Sequence, residues 1–141
     1  MAKFSLTSQQ RLRGVHPSLQ LWAYKIVEIM DCKVIYGVRT IAEQAHMVQI
    51  GASQTMNSYH LVQADGWGHA VDLAPYPIDW KDLNRFVALY GVGLAVAHEM
   101  NLPIVWGGDW DADGVLLTDQ GFDDYSHWQL PRDYSNTIIH V

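Results

Sequence analysis

One aspartate inside an apolar run constrains this chain more than any other residue. Asp72 stands within residues 70–74, which are otherwise alanine, valine and leucine, and Pro75 follows directly. The run predicts a buried strand. A carboxylate in such a strand is costly unless a cation or a metal ion neutralises it. The segment around Asp72 therefore has to fold against an arginine, backbone amides or a metal ion with further ligands.

Two histidines offer those further ligands. His60 lies in a polar stretch, and His127 opens an alternating segment three residues after Asp124. A catalytic zinc ion takes three protein ligands and keeps a fourth position for water, and a nearby carboxylate can accept a proton from that water. No His-Glu-x-x-His helix is present, so an Asp72 satisfied by arginine or by amides is an equal alternative. Four other histidines have no acidic or histidine partner at a sequence spacing typical of a metal site. They are expected to be ordinary surface or core residues: His16, His46, His98 and His140.

Composition limits the class of protein. The 141 residues, 49% hydrophobic and 17% charged, are typical of one soluble globular domain. A formal net charge of -6 with scattered cations argues against nucleic acid as a partner. Cys32 is the only cysteine, which leaves no internal disulfide and no thiolate metal site. Since neither a transmembrane stretch nor a secretory signal is apparent, we expect a monomer that does not insert into membranes and accumulates in the cytoplasm.

Hydrophobic periodicity predicts a single α+β domain over residues 1–141. The predicted helices cover residues 17–30, 40–51 and 79–101. The predicted strands cover residues 34–38, 70–74, 102–106 and 127–130. The predicted irregular parts are two loops, at 52–68 and 107–124, and a C-terminal arm over 131–141.

Three short motifs are specific in combination: Ser58-x-His60, Ala70-Val71-Asp72 and Asp124-x-x-His127-Trp128. Further segments extend the likeness over residues 5–132, namely 14–17, 37–40, 51–55, 57–60, 69–76 and 106–110. In these segments the chain resembles the zinc peptidases of the D-alanyl-D-alanine carboxypeptidase, VanY-type group. Within that group it is most similar to the L-alanyl-D-glutamate endopeptidases used as phage endolysins. The resemblance implies a small antiparallel sheet flanked by helices, with the zinc site on the sheet, as in hedgehog and DD-peptidase domains.

The resemblance also implies roles for individual residues. The zinc ligands it implies are His60, Asp72 and His127. It places Asp124 as the catalytic acid and Arg39 opposite the scissile bond, while a structural salt bridge is the other interpretation of Arg39. The substrate-binding residues that it implies are Ser53, Ser58, Tyr59 and Trp128.

Two departures from the family pattern bear on the site. Tyr59 takes the place of a basic residue that is common between the serine and the histidine, which alters any substrate contact there. The segment 61–68 is longer than the usual connection from histidine to aspartate, which makes His69 and Asp65 competing ligands. His60 is favoured because it keeps the Ser-x-His context.

A second metal signal follows the predicted strand at 102–106. Asp109, Asp111 and Asp113 alternate before Gly114, as at the start of a calcium loop. Gln120 stands where an EF-hand needs a bidentate acid, so the loop is not an EF-hand. Some similar phage endolysins carry a regulatory calcium ion in this loop. A solvated acidic turn explains the pattern equally well.

These inferences predict a zinc-dependent peptidoglycan hydrolase. The expected partner is a peptidoglycan stem peptide, and the expected scissile bond joins L-alanine to D-glutamate, so that cleavage lyses the host. The enzyme is expected in the host cytoplasm, from which a separate membrane-permeabilising factor releases it to the wall. Two other functions stay open: a D-alanyl-D-alanine carboxypeptidase, and an inactive zinc-containing wall-binding domain.

Overall fold

The structure of the protein, a computed structural model, describes residues 2–53, 55–110 and 124–135. Along these residues the elements are α1 (Leu6–Arg11), α2 (Pro17–Ile29), β1 (Cys32–Tyr36), α3 (Ile41–Gln49), β2 (Ala70–Pro75), α4 (Leu83–Met100), β3 (Val105–Gly107) and β4 (Asp124–Gln129). The sequence pattern does not predict α1, because six residues are too few to show a hydrophobic period. Its start is nevertheless capped, since Ser5 Oγ accepts a hydrogen bond from the Ser8 amide at 3.2 Å.

Within the described residues, four strands form one antiparallel sheet in the order β1-β2-β4-β3. Strand β2 is internal and buried along its whole length, as its apolar run predicts. Its pairing with β4 places Asp72 directly opposite His127. The predicted α+β fold, a small antiparallel sheet flanked by helices, is confirmed. The register also explains why two candidate ligands that are distant in sequence become neighbours.

The core lies between the sheet and two helices, α2 and α4, which also contact each other. Trp22 of α2 meets Trp128 of β4 there, with ring centroids 4.9 Å apart. Gly93 of α4 makes room for this pair, because an added Cβ would lie 2.7 Å from the Trp128 ring. The Gly93 carbonyl also accepts a hydrogen bond from Trp22 Nε1 at 2.9 Å. A larger residue at this position of α4 would therefore displace the core tryptophans.

Three predicted boundaries are wrong by several residues. The strand expected at 102–106 begins only at Val105. The helix expected from Asp79 begins at Leu83, because Asp79 instead accepts a hydrogen bond from the Lys81 amide at 3.0 Å and forms a turn. The last strand begins earlier than expected, so that Asp124 lies on β4 and not in a loop. The predicted end of α4 is confirmed, since Asn101 adopts the left-handed conformation that stops a helix.

The C-terminal arm is described only in part. Residues 131–135 contain no helix or strand, and residues 136–141 lie outside the described part of the chain. Among the helices that are described, none is both long and apolar enough to cross a membrane.

Candidate active site

His60, Asp72 and His127 converge, and we call them the cleft cluster. Asp72 lies on β2, His127 lies opposite it on β4, and His60 comes from a turn in the segment before β2. Asp72 Oδ1 is 3.1 Å from His60 Nε2 and 3.2 Å from His127 Nδ1. All three residues are buried. The structure thus brings together the three side chains that the sequence analysis proposes as metal ligands.

Each histidine of the cleft cluster donates its far ring nitrogen to a neutral acceptor. His60 Nδ1 donates to the carbonyl oxygen of Gly37 at 2.7 Å. His127 Nε2 donates to Gln129 Oε1 at 2.8 Å. A neutral ring with this outer contact keeps its lone pair on the nitrogen that faces Asp72. Burial alone lowers the pKa of His127, but the hydrogen bond to Asp72 and the charge of Asp72 outweigh burial and raise that pKa, so a proton between this ring and Asp72 occupies the position that a metal ion would take. Metal-ligating histidines show this arrangement, because the outer acceptor fixes the tautomer.

The charge and the spacing of the cleft cluster fit a divalent metal ion. Burial alone raises the pKa of Asp72, but the two imidazoles outweigh burial and hold that pKa below its usual range, so the carboxylate is ionised. Two ligands about 2.0–2.2 Å from a tetrahedral zinc ion lie roughly 3.3 Å apart. The two separations from Asp72 Oδ1, 3.1 and 3.2 Å, are close to that value. Two imidazole nitrogens and a carboxylate oxygen form a donor set that zinc accepts.

Asp124 faces the same cleft from β4. Burial raises the pKa of its carboxyl group, and the negative charge of Asp72 raises that pKa further. Ser126 Oγ donates a hydrogen bond to Asp124 Oδ1 at 3.2 Å. A carboxylate with a raised pKa holds a proton more strongly near neutral pH than an ordinary aspartate does. Asp124 therefore lies at the cleft with a carboxyl group that binds a proton more tightly than an ordinary aspartate does.

Arg39 follows β1 and reaches the cleft cluster. Its Nη2 lies 3.8 Å from Asp72 Oδ2, and its Nη1 donates to Gln44 Oε1 at 3.1 Å. The guanidinium carbon is 4.7 Å from the centroid of the Tyr36 ring. Arg39 also lines the cleft. Both interpretations of Arg39 thus find support: the ion pair is present, and so is the position next to the reacting groups.

A cleft of about 480 Å³ opens over the cluster, a size that suits a small ligand or a short peptide segment. The proposed substrate-binding residues Ser53, Ser58 and Tyr59 line it. Trp110 lines it as well, with its ring centroid 5.3 Å from that of His127. The other lining residues are Arg39, Ala52, Thr55, Asn57, His60, Asp124, His127 and Gln129.

Trp128 does not line the cleft, and its predicted contact with substrate is wrong. The residue is 1% exposed and packs in the core against Trp22. Successive side chains of a strand point to opposite faces of the sheet. Since His127 faces the cleft, its neighbour Trp128 has to face the core.

Ser58 and Tyr59 have local contacts beside the cleft. Ser58 Oγ accepts a hydrogen bond from the His60 amide at 3.1 Å, which fixes the turn that carries His60. The guanidinium of Arg132 lies over the Tyr59 ring, 4.1 Å from its centroid. Arg132 also donates to Gln63 Oε1 at 3.0 Å. The long segment 61–68 is therefore tied to the cleft edge through Arg132.

A second cluster consists of His16, Asp65 and His69. His69 Nε2 lies 2.7 Å from Asp65 Oδ2, and His16 Nε2 lies 3.9 Å from the same oxygen. His16, expected to be an ordinary surface or core residue, is buried, and it meets the acidic Asp65 because segment 61–68 folds back over the start of α2. His69 and Asp65, which competed with His60 in the sequence, are engaged in this second cluster and do not complete the cleft cluster.

The proton positions of the second cluster differ from those of a metal site. His16 Nδ1 accepts a hydrogen bond from the Ser18 amide at 3.0 Å and so caps α2. The neutral ring then carries its proton on Nε2, the nitrogen that would have to bind a metal. His69 Nδ1 lies 2.8 Å from the Pro131 carbonyl oxygen, so both of its nitrogens face acceptors. The contact of 2.7 Å with Asp65 is of hydrogen-bond length.

Some partners in the site carry little signal in the sequence. Gln44 and Gln129 are lone amides without a motif, and Gly37 contributes only its backbone carbonyl. The structure leaves no room for a side chain at position 37, because a Cβ added to Gly37 would lie 1.8 Å from the Arg11 carbonyl oxygen. A glycine that must stay small keeps this carbonyl where His60 Nδ1 can reach it.

The calcium prediction falls mostly outside the described residues. Asp109 is 3% exposed, and its amide donates to the Trp106 carbonyl oxygen at 3.0 Å. Asp111 and Asp113 lie outside the described part of the chain. Calcium binding by these three residues stays a prediction.

The chain is similar to known L-alanyl-D-glutamate peptidases. The sequence profile of the phage L-alanyl-D-glutamate peptidase family matches residues 1–130. The L-alanyl-D-glutamate peptidase of Escherichia phage T5 is 32% identical over 120 residues, which are 79% of this chain and 84% of that protein. That of Listeria phage A118 is 37% identical over 93 residues, which are 66% of this chain and 28% of that protein. Among solved structures, the L-Ala D-Glu endopeptidase ChiX of Serratia marcescens gives a TM-score of 0.73 at 30% identity, over 92% of this chain and 90% of that one.

Proposed function

We propose that this chain, which belongs to the phage L-alanyl-D-glutamate peptidase family, cleaves its bond with a zinc ion held by the cleft cluster. The family and the relatives support a peptidoglycan hydrolase that acts between L-alanine and D-glutamate. The zinc ion is our own addition to that activity. The observation that carries it is that His60 Nε2 and His127 Nδ1 face one ionised carboxylate while the far nitrogen of each ring donates to an outer acceptor.

His60, Asp72 and His127 would hold the metal. When bound, zinc supplies Lewis acidity, which lets a water molecule lose a proton near neutral pH and withdraws electrons from a carbonyl group. Three protein ligands leave room for such a water molecule. The outer acceptors fix the tautomer of each neutral histidine, and zinc would displace the proton that His127 shares with Asp72.

Asp124 would move the proton. The water oxygen bonds to the alanyl carbonyl carbon while its proton passes to the Asp124 carboxylate. The bond from that carbon to the glutamyl nitrogen then breaks, and the proton held by Asp124 passes to the departing amine. The raised pKa of Asp124 makes the first transfer easier, because this carboxylate accepts a proton more readily than an ordinary aspartate does.

Arg39 would stabilise the negative charge that develops on the carbonyl oxygen. A buried guanidinium beside the cleft needs little reorganisation when the charge appears, which is the condition for effective electrostatic stabilisation. Its ion pair with Asp72 and its hydrogen bond to Gln44 keep it in place at the wall of the cleft.

Digestion of purified sacculi tests the proposal. We expect mass spectrometry to find muropeptides that end in L-alanine, together with stem fragments that begin with a free D-glutamate amine. Release of D-alanine would instead indicate the carboxypeptidase. Binding to sacculi by the zinc-loaded protein without any new fragment would indicate a wall-binding domain.

We also propose that Asp109, Asp111 and Asp113 bind a regulatory calcium ion. Their alternate spacing before Gly114 supports this, because a turn can direct the carboxylates to one cation. Asp109 lies close in sequence to Trp110, which lines the cleft, so a cation there would act near the reaction. Calcium added to chelated and zinc-restored enzyme should raise activity, and Asp111→Ala with Asp113→Ala should remove the response. Activity that is indifferent to millimolar calcium would disprove it.

The remaining proposals concern the setting of the enzyme. We propose that it acts as a monomer on the stem peptide, and that a separate membrane-permeabilising factor releases it from the host cytoplasm. The cleft supports the first part, since one chain supplies every member of the cleft cluster and Asp124.

A further inference from the structure

We infer that Gln44 is a positioning residue that joins Arg39 to the rim of the cleft. By the rim we mean residues 51–53 and 55–57, which follow α3. The inference rests on the proposed function, because the role of Arg39 in that function gives its position a catalytic meaning. Gln44 itself does not line the cleft.

Gln44 occupies an unusual place in its helix. It is 0% exposed, and it is the buried residue of α3, whose other positions are exposed or half-buried. Such a position is ordinarily apolar, because a buried amide is costly unless its polar atoms find partners. The cost is offset here, since both ends of the amide are hydrogen-bonded.

The partners of Gln44 define a link between two parts of the site. Its Oε1 accepts from Arg39 Nη1 at 3.1 Å. Its Nε2 donates to Ser53 Oγ and to the Thr55 carbonyl oxygen, both at 2.8 Å. Arginine can only donate and a carbonyl can only accept, so the orientation of the amide is fixed. One rigid group therefore sets Arg39 and the rim relative to each other.

A neutral amide suits this position better than a carboxylate does. A glutamate could still accept from Arg39, but it would cancel much of the guanidinium charge that is meant for the developing oxyanion. It would also place an oxygen against the Thr55 carbonyl oxygen, where no hydrogen bond is possible. A methionine of similar length would fill the space and lose all three hydrogen bonds.

The hydrogen bonds at the two ends of the Gln44 amide are expected to affect different kinetic constants. The contact with Arg39 acts on stabilisation of the transition state and therefore on kcat. The contacts with Ser53 and Thr55 hold residues that line the cleft, so they act on substrate binding and therefore on KM.

The test is a double-mutant cycle on a soluble stem peptide that contains the L-alanyl-D-glutamate bond. We expect Gln44→Met to lower kcat about 10- to 100-fold, the scale of a misplaced catalytic group, and to raise KM several-fold. In the Arg39→Met background the same substitution should lower kcat no further while still raising KM. Gln49→Met, on an exposed position of the same helix, is the matched control and should keep both constants. Zinc content and melting temperature are measured for every variant.

Gln44→Glu is the second variant, and it tests the positioning role of Gln44 if Gln44→Met is too unstable to assay. A residue that only fills space would tolerate this nearly isosteric change. We expect it to lower kcat and to raise KM at unchanged zinc content. Wild-type constants in either folded Gln44 variant, with Arg39→Met impaired, would overturn the inference and leave the proposed function intact. Wild-type kcat in Arg39→Met would instead contradict the proposed role of Arg39.

Discussion

The cleft cluster and the second cluster contain the same residue types but differ in their protons. In the cleft cluster the far nitrogen of each histidine donates to an outer acceptor, so the nitrogen that faces Asp72 is the one that can bind a metal ion. In the second cluster His16 uses a ring nitrogen to cap α2, and His69 contacts Asp65 at 2.7 Å. The separations of 3.1 and 3.2 Å in the first lie within hydrogen-bond range and are also close to those between ligands of one zinc ion, whereas 2.7 Å in the second is of hydrogen-bond length only. Residue inventory alone therefore does not distinguish the two clusters, but their outer hydrogen bonds do.

Metal content should separate the two clusters most strongly. We expect one zinc ion per wild-type chain and none in His60→Ala or His127→Ala, because two remaining ligands hold the ion poorly. The matched changes His16→Gln and His69→Gln should keep one equivalent. Elemental analysis after dialysis measures the content. Two zinc ions per wild-type chain, one of them lost in His69→Gln, would show that the second cluster also binds metal. Chelation should also lower the melting temperature, since a ligand that binds only the native state stabilises it.

The next largest effect is expected at Asp124. Asp124→Asn should keep its zinc ion but lose activity by roughly 10²–10⁴-fold, because an amide cannot accept the proton. The raised pKa of Asp124 also gives a direction for pH dependence. The active, ionised form is complete only above that pKa, so kcat/KM should fall as the pH decreases, at a higher pH than an ordinary aspartate would give. Near-normal turnover of a zinc-loaded Asp124→Asn variant would exclude the proposed role.

The outer hydrogen bonds can be tested on their own. Gln129→Leu should weaken zinc binding about 10- to 100-fold, the usual effect of losing an outer acceptor, because the His127 ring is then free to change tautomer. Gln129→Glu keeps an acceptor for His127 Nε2 and should restore tight binding. Competition with a chelator of known affinity measures both variants. Equal affinity in Gln129→Leu and wild type would show that the tautomer is fixed by something else.

The smallest expected effect concerns the second cluster. Burial raises the pKa of Asp65, but hydrogen bonds from His69 and the Trp67 amide outweigh burial and lower that pKa overall. The lowered pKa means that Asp65 stabilises the fold above its unfolded pKa of about 3.9 and that this stability is lost as the pH falls through the folded value. Its side chain is 35% exposed, so water screens the pair and Asp65→Asn should cost only about 1 kcal/mol at pH 7.

Urea denaturation at several pH values measures that cost. Asp133→Asn, on an exposed position of the C-terminal segment, serves as the control and should leave stability unchanged. The difference between wild type and Asp65→Asn should shrink as the pH falls below about 4. If the difference in free energy of unfolding persists in acid, Asp65 does not stabilise the fold through its charge.

Much of the sheet and of the cleft could be predicted from the sequence because the signals are local. The apolar run around Asp72 predicts β2, and alternation predicts a strand at His127. Trp128 could have been assigned correctly from the same alternation, since a neighbour of a cleft residue on a strand faces the core.

The second cluster and the outer acceptors could not be predicted in this way. Asp65 reaches His69 and His16 through the irregular segment 61–68, which has no period to interpret. Gln44 and Gln129 act through hydrogen bonds whose direction only the folded chain defines. A lone glutamine in a sequence gives no indication that it holds an arginine or a histidine.

The pairing of β2 with β4 also bears on how the chain reaches the correct strand register during folding. Asp72 and His127 are 55 residues apart in sequence, so the chain has to close a long loop before they meet. A slip of β4 by one residue would send Trp128 into the cleft and His127 into the core. The close fit of Trp128 against Gly93 selects the correct register. A tryptophan remote from the chemistry thus decides, while the chain folds, whether the histidine beside it reaches the cleft.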